Sequence, residues 1–302
     1  MTNRQRERER FLAGWSSGVL AQSATLAQLR ENAESEYARV PLPAGCAVVS
    51  LQADKVRGEK IVPHGVNGAG AILYHHGGGH VFGSAATHRH LVARIADAAG
   101  IVAYNMAYPL APEQPYPAGL DMAVENYRYV LKQGVSPQRL IVAGDSAGGN
   151  LTLAMLLRAR REGLPLPAGV YLISPWLDLR PRAPVPPERV ERDPLLLPDS
   201  IALWAKIYLA RQDPAEPEIS PLLADLSGFP PVLIQVGGAE LLLEEALAFS
   251  SKLALAGVGL QLNVWQDQVH AWPLFHHEMP TDGLAAIAQG GDWIRSVLGG
   301  DR

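Results

Sequence analysis

A chain of 302 residues with 48% hydrophobic and 19% charged residues can bury a sizeable core, and its length calls for no more than one domain with insertions. Its formal net charge of −4 provides no basic field to draw in nucleic acid or an anionic membrane, so neither is expected as a partner and small-molecule chemistry is. The single cysteine, Cys46, excludes an internal disulfide, MTNRQRERERFLAGW has no secretory apolar region, and no apolar run reaches the roughly 18 residues of a membrane span, so a cytoplasmic protein is expected.

The chain opens by alternating arginine with glutamate. Phe11, Trp15 and Val19 then recur at every fourth residue, which puts an aromatic stripe on one helical face that packs onto something. An apolar run predicts a strand over 46–51, and AGAILYHH at 69–76 predicts a buried strand running into a glycine-rich loop. Strands follow at IVAYNM, RLIVAG, GVYLIS, PPVLIQVGG and LQLNVW, with helices over 91–99, 120–132, 151–161 and 241–256. Nearly all-apolar strands separated by helices predict an α/β fold with a mostly parallel sheet covered on both faces. The stretch 176–221 breaks this rhythm: RPRAPVPPERVERDP crowds prolines with charges, and Leu203, Trp204, Ile207 and Tyr208 then form a short amphipathic helix. This insertion is expected to join roughly residues 1–40 as a cap over one end of the sheet, within a single domain. There are no internal repeats.

Three pieces of chemistry stand out. Gly144-Asp145-Ser146-Ala147-Gly148 matches GxSxG between a strand and a helix, where small neighbours allow a sharp turn that holds the serine hydroxyl out of the sheet. An ordinary strand-to-helix turn would also fit the pattern taken alone. Upstream, His76-Gly77-Gly78-Gly79 leaves backbone N–H groups unobstructed for an oxyanion; a flexible loop, a phosphate cradle, or a metal site built from His75, His76, His80, His88 and His90 are the alternatives. The GK[ST] ending of a phosphate loop is missing, and three glycines between His76 and His80 are poor helix material for a metal pair, so no metal is expected. Finally, Glu240 follows PPVLIQVGG and His270 follows LQLNVW, which gives the order serine, acid, histidine just past the carboxyl ends of strands.

Together, HGGG at 76–79, YPLAPEQPYPA at 108–118, GDSAGG at 144–149 and the late acid and histidine resemble the bacterial hormone-sensitive-lipase family (family IV) of α/β-hydrolase esterases, over about 73–272. The resemblance implies cofactor-free hydrolysis of a small carboxylic ester under an N-terminal cap, and it is compatible with a homodimer. It makes Ser146 the nucleophile, His270 the base and Glu240 the acid, with oxyanion N–H groups from Gly78, Gly79 and Ala147 and with His76 anchoring the glycine loop. Phe82, Trp15, Trp204 and Tyr208 are the expected substrate-binding residues, and acyl chains of about four to eight carbons the expected preference. An amide or lactone substrate, or a receptor using the capped pocket, are the rival readings.

Two departures from the family pattern matter. Members commonly read YRLAPE where this chain has Pro109 in place of the arginine, and their acid is usually the aspartate of a DPL motif, where this chain has Glu240 in GGAELLLEE. DPLL does occur at 193–196, but Asp193 lies in the insertion and is expected away from any strand end, while Glu244 and Glu245 are expected to be solvated helix charges.

Overall fold

In the computed structural model, which describes residues 2–17, 25–66 and 69–299, eight strands of the described residues form a sheet in the order β1-β2-β4-β3-β5-β6-β7-β8. They are β1 (Ala47–Ala53), β2 (Val56–Val62), β3 (Ala71–His75), β4 (Val102–Met106), β5 (Leu140–Asp145), β6 (Gly169–Ile173), β7 (Val232–Gly237) and β8 (Leu260–Trp265). The hairpin of β1 and β2 joins β4 antiparallel, and every later pairing is parallel. Each residue of β3, β5, β6 and β7 is buried, which is why these strands read as nearly all-apolar runs.

The helices are α1 (Asn3–Ser17), α2 (Leu26–Tyr37), α3 (Ala85–Ala99), α4 (Ala118–Lys132), α5 (Ser146–Arg161), α6 (Pro187–Val190), α7 (Pro198–Leu209), α8 (Leu243–Leu255) and α9 (Pro280–Gly299). Successive strand residues point to opposite faces, and the core divides accordingly. Leu73, Val142, Val170 and Ile234 meet Leu120, Tyr127, Leu153 and Phe249 of α4, α5 and α8. On the other face, Ile72, Tyr74, Ile141 and Tyr171 meet Leu91, Ile95, Ile287 and Ile294 of α3 and α9. Each such aliphatic side chain contributes about 1.5–3 kcal/mol on burial, so the sheet is a rigid base for whatever its loops carry. Helix α3 begins six residues before the expected 91, because Ser84 and Thr87 form a reciprocal capping box; Gly100 ends it in a left-handed conformation. Four elements, β2, α2, α6 and α9, were not expected.

Two smaller clusters gather beyond the carboxyl ends of the strands. Phe11 of α1 and Ala33 and Tyr37 of α2 pack with Val269, Trp272 and Phe275, which follow β8. From the insertion, Leu196 and Ile201, Ala205 and Tyr208 of α7 pack with Val81, Ala147 and Trp176. Phe82 touches both clusters. Val19, the third member of the expected stripe, lies outside the described residues. No helix of the described residues is long and apolar enough to cross a membrane.

Candidate active site

Strand β5 passes directly into α5, with Asp145 the last residue of one and Ser146 the first of the other. Ser146 is held at φ +51°, a region that a side-chain-bearing residue occupies only when its surroundings impose it. The turn is too tight for side chains on either flank: a Cβ on Gly144 would come within 2.5 Å of the Gly148 carbonyl, and one on Gly148 would overlap the His75 carbonyl oxygen. The Ser146 hydroxyl therefore stands at the mouth of the sheet, and His270 Nε2 lies 2.9 Å from it.

His270 sits on the loop after β8 and is buried. Its Nδ1 faces Glu240 Oε2 at 3.8 Å. That oxygen accepts hydrogen bonds from Ser174 Oγ at 2.6 Å and Gly237 N at 3.1 Å, which pins the carboxylate, while His270 Nδ1 and Glu240 Oε1 have no hydrogen-bond partner of their own. Two buried, unmatched groups side by side need only a small torsion to pair, and such contacts are often long before substrate arrives. Burial alone would lower the imidazole pKa, but the contact and charge of Glu240, helped by the charges of Asp193 and Asp145, raise it overall above its ordinary value.

Two acids lie elsewhere than expected. Asp193 is fully buried beside His270: its Oδ2 accepts the backbone N–H of His270 at 2.9 Å and its Oδ1 that of Leu195 at 3.1 Å. Burial pushes its carboxyl up to about 6 against the opposing effect of His270. The insertion folds back across 77 residues of chain to make this contact, which no local pattern discloses. Glu245 is likewise buried rather than solvated; it accepts from Leu177 N and from Arg182, and burial pushes it up to about 8. Glu244 is exposed and pairs with Arg189.

The glycine loop hangs on Asp145, whose Oδ1 accepts from Gly77 N at 3.0 Å and from Tyr74 Oη at 2.8 Å, while Oδ2 lies 3.3 Å from His88 Nε2. Gly78 and Gly79 have φ of +110° and +60°. A Cβ would overlap Phe82 O at the first and come within 2.7 Å of the Trp204 ring at the second. His76 is buried and neutral, lowered to about 3 chiefly by burial; its Nδ1 meets Gly77 O at 2.8 Å, its ring stacks on Tyr108, and its carbonyl accepts the Tyr108 hydroxyl. Asp145 and Ser174 escaped the sequence reading. A charge at the end of an all-apolar strand was the available signal for Asp145; Ser174 offered none.

The expected pocket residues separate. Phe82 and Trp204 meet over the glycine loop, with ring centroids 5.5 Å apart. Trp15 lies in the aromatic group of Phe11 and Phe275. Tyr208 is buried and stacked on His80 at 3.8 Å, so it supports the wall from behind.

The histidines weighed for a metal also part ways. His75 meets Thr152 Oγ1, His80 stacks on Tyr208, and His88 turns to Asp145. The ring nitrogens of His90, His276 and His277 do lie within 4.8 Å of one another. However, His276 Nε2 already receives Arg94 Nε at 3.2 Å and lies 2.9 Å from His90 Nδ1, so donors engage the lone pair a cation would need. A groove of about 580 Å³, lined by Gln138, Pro167, Phe229, Pro231 and Leu298 among others, lies at the opposite end of the strands from Ser146.

Residues 72–274 match the family described as alpha/beta hydrolase fold. An acetyl-hydrolase of Streptomyces hygroscopicus is 40% identical over 228 residues, 76% of each chain. The crystal structure of an esterase from the bacterial hormone-sensitive lipase family superimposes with a TM-score of 0.91 at 36% identity, over 97% of this chain and 98% of that one. That of EstE5, soaked with p-nitrophenyl butyrate, gives 0.91 at 35% identity over 99% of this chain and 100% of that one.

Proposed function

Because the chain belongs to the alpha/beta hydrolase fold family, among its bacterial hormone-sensitive-lipase esterases, we propose that it hydrolyses short to medium acyl esters through Ser146, His270 and Glu240. It is a carboxylesterase of the serine-hydrolase class. The reading of the triad rests on one observation above all: a serine in a left-handed turn, 2.9 Å from an imidazole whose other nitrogen faces a buried glutamate.

In this mechanism the Ser146 hydroxyl attacks the acyl carbon and passes its proton to His270 Nε2. Backbone N–H groups of Gly78, Gly79 and Ala147 stabilise the oxyanion. The tetrahedral intermediate collapses as His270 returns that proton to the departing alkoxide, leaving an acyl-enzyme and an alcohol. Water, deprotonated by the same imidazole, repeats the attack, and the carboxylic acid and free serine result. Glu240 keeps the Nδ1 proton in place and offsets the positive charge on the ring. A cytoplasmic setting suits the lone cysteine, and a homodimer is part of the same proposal, to be checked by size-exclusion chromatography with light scattering. Turnover of a p-nitrophenyl ester series, set against matched anilides and lactones, tests the substrate class; a preference for either rival bond would overturn it.

Two consequences can be measured directly. His270 must be neutral to act, and its surroundings raise its pKa, so kcat/KM should fall on the acid side with a midpoint above the ordinary imidazole value of about 6.5. A profile flat down to about pH 4 is incompatible with a histidine base.

The second concerns chain length. Trp204 stands over Gly79 and beside Phe82, so Trp204→Ala should open the acyl site and move the optimum beyond the about four to eight carbons expected of the wild type. Deleting residues 1–20 removes Phe11 and Trp15 and should also alter the profile; an equal loss on every ester would mean that α1 only packs the fold together.

A further inference from the structure

Arg30 reaches down from α2 and places its donors on three acceptors in two loops. Its Nε donates to Val81 O at 2.7 Å and its Nη2 to Ala111 O at 2.8 Å, while Nη1 and Nη2 hold the Glu113 carboxylate at 2.8 and 2.9 Å. Val81 lies two residues past Gly79, the second of the oxyanion glycines. The N–H groups of Val81 and Phe82 both donate to Gly78 O at 3.0 Å, and Ala111 N donates to His80 O at 2.9 Å. Neither 77–83 nor 108–113 contains a lysine or arginine, and burial lowers His80 to about 3, which leaves it neutral. Two carbonyl oxygens and a carboxylate thus converge on one guanidinium supplied by the N-terminal segment.

We infer that Arg30 is a positioning residue for the oxyanion loop, clamping Val81 to Ala111 and Glu113 so that the N–H groups of Gly78 and Gly79 stay aimed at the developing oxyanion. The ion pair itself is not the point. Glu113 is 59% exposed, and although Arg30 holds its carboxyl down to about 2, a pair in that setting adds little stability. Geometry is what matters: three consecutive glycines have wide conformational freedom, and oxyanion donors act only when they are preorganised. A planar fork can satisfy three acceptors at fixed angles, which an ammonium cannot. The N-terminal segment would then serve turnover itself through α2, besides any part α1 plays in covering the pocket.

The inference rests on the Ser146 mechanism, so labelling of the wild type by a serine-reactive phosphonate is measured first. Failure there overturns that mechanism and the clamp's purpose with it, whereas the variants below can overturn the clamp while the mechanism stands. Arg30→Ala, Arg30→Lys and Glu113→Gln are then compared with the wild type on p-nitrophenyl acetate, butyrate and octanoate. Arg30→Ala should lower kcat by about 10- to 100-fold, by one factor on all three esters, with KM changed by less than about twofold. Arg30→Lys should recover less than about threefold of that loss, and millimolar guanidinium should restore part of the kcat of Arg30→Ala. Glu113→Gln leaves both carbonyl contacts and should cost less than about threefold. An unchanged kcat with a lower melting temperature, a loss that grows with acyl length through KM, or full rescue by lysine would each overturn the clamp. Should Arg30→Ala fail to fold, Arg30→Lys decides by its kcat, because wild-type turnover in that variant excludes a role for the fork.

Discussion

Replacing Ser146 by alanine is expected to lower ester turnover by about 10⁴ to 10⁶ while leaving the melting temperature within a few degrees of wild type. The hydroxyl's hydrogen bond is to His270 Nε2, and both residues keep 9% of their surface exposed, so a water can replace the lost partner. Alanine also keeps a Cβ at φ +51°, so the strain of the turn is neither relieved nor increased. What remains is an oxyanion loop and an imidazole able to activate water, which together sustain only residual turnover. Serine and histidine act as one unit in this scheme, so Ser146→Ala/His270→Ala should be scarcely slower than either single variant. Phosphonate labelling of the wild type should map to Ser146 and vanish in the alanine variant. A folded Ser146→Ala protein with near wild-type rates would place the nucleophile elsewhere.

The tight turn at Ser146 and the glycine loop at 77–79 were legible in the sequence because their constraints are local. Gly144 and Gly148 must lack side chains within one turn of chain, and the apolar runs of β3, β5, β6 and β7 follow from burial on both faces. Helix α9 was hidden by the feature that seats it. Gly290 and Gly291 are poor helix formers, yet a Cβ on the first would lie 2.7 Å from the Tyr171 ring and on the second 2.6 Å from Ala98, so they let the helix lie against the sheet and α3. Strand β2 was obscured by Arg57, Glu59 and Lys60, charges that are tolerable because the hairpin lies at the margin of the sheet. Asp193, Glu245 and Arg30 escaped for another reason. Each acts across more than fifty residues of chain, on a backbone group whose position depends on the completed fold.

Glu240→Gln is expected to preserve folding and lower kcat by about 10³ to 10⁴. A glutamine oxygen can still accept from Ser174 Oγ and Gly237 N, so the side chain stays where the glutamate was. That oxygen is also the one facing His270 Nδ1, so the imidazole meets a neutral amide oxygen in place of the anion that offsets its positive charge during attack. Asp193 must be tested beside it, because it is buried against the same histidine. Its two oxygens, however, meet the backbone N–H groups of His270 and Leu195, not the ring. Asparagine keeps one acceptor and sets an amide N–H₂ against the other N–H, so Asp193→Asn should destabilise the fold by about 1–3 kcal/mol and lower kcat by less than about tenfold. The two variants also part on pH. The charge of Asp193 helps to raise the His270 pKa, and removing it should move the acid limb of kcat/KM to lower pH while the plateau survives. In Glu240→Gln the plateau itself should collapse. If Asp193→Asn lost the plateau and Glu240→Gln kept it, the acid would be Asp193, and the roles of Ser146 and the oxyanion loop would stand unchanged.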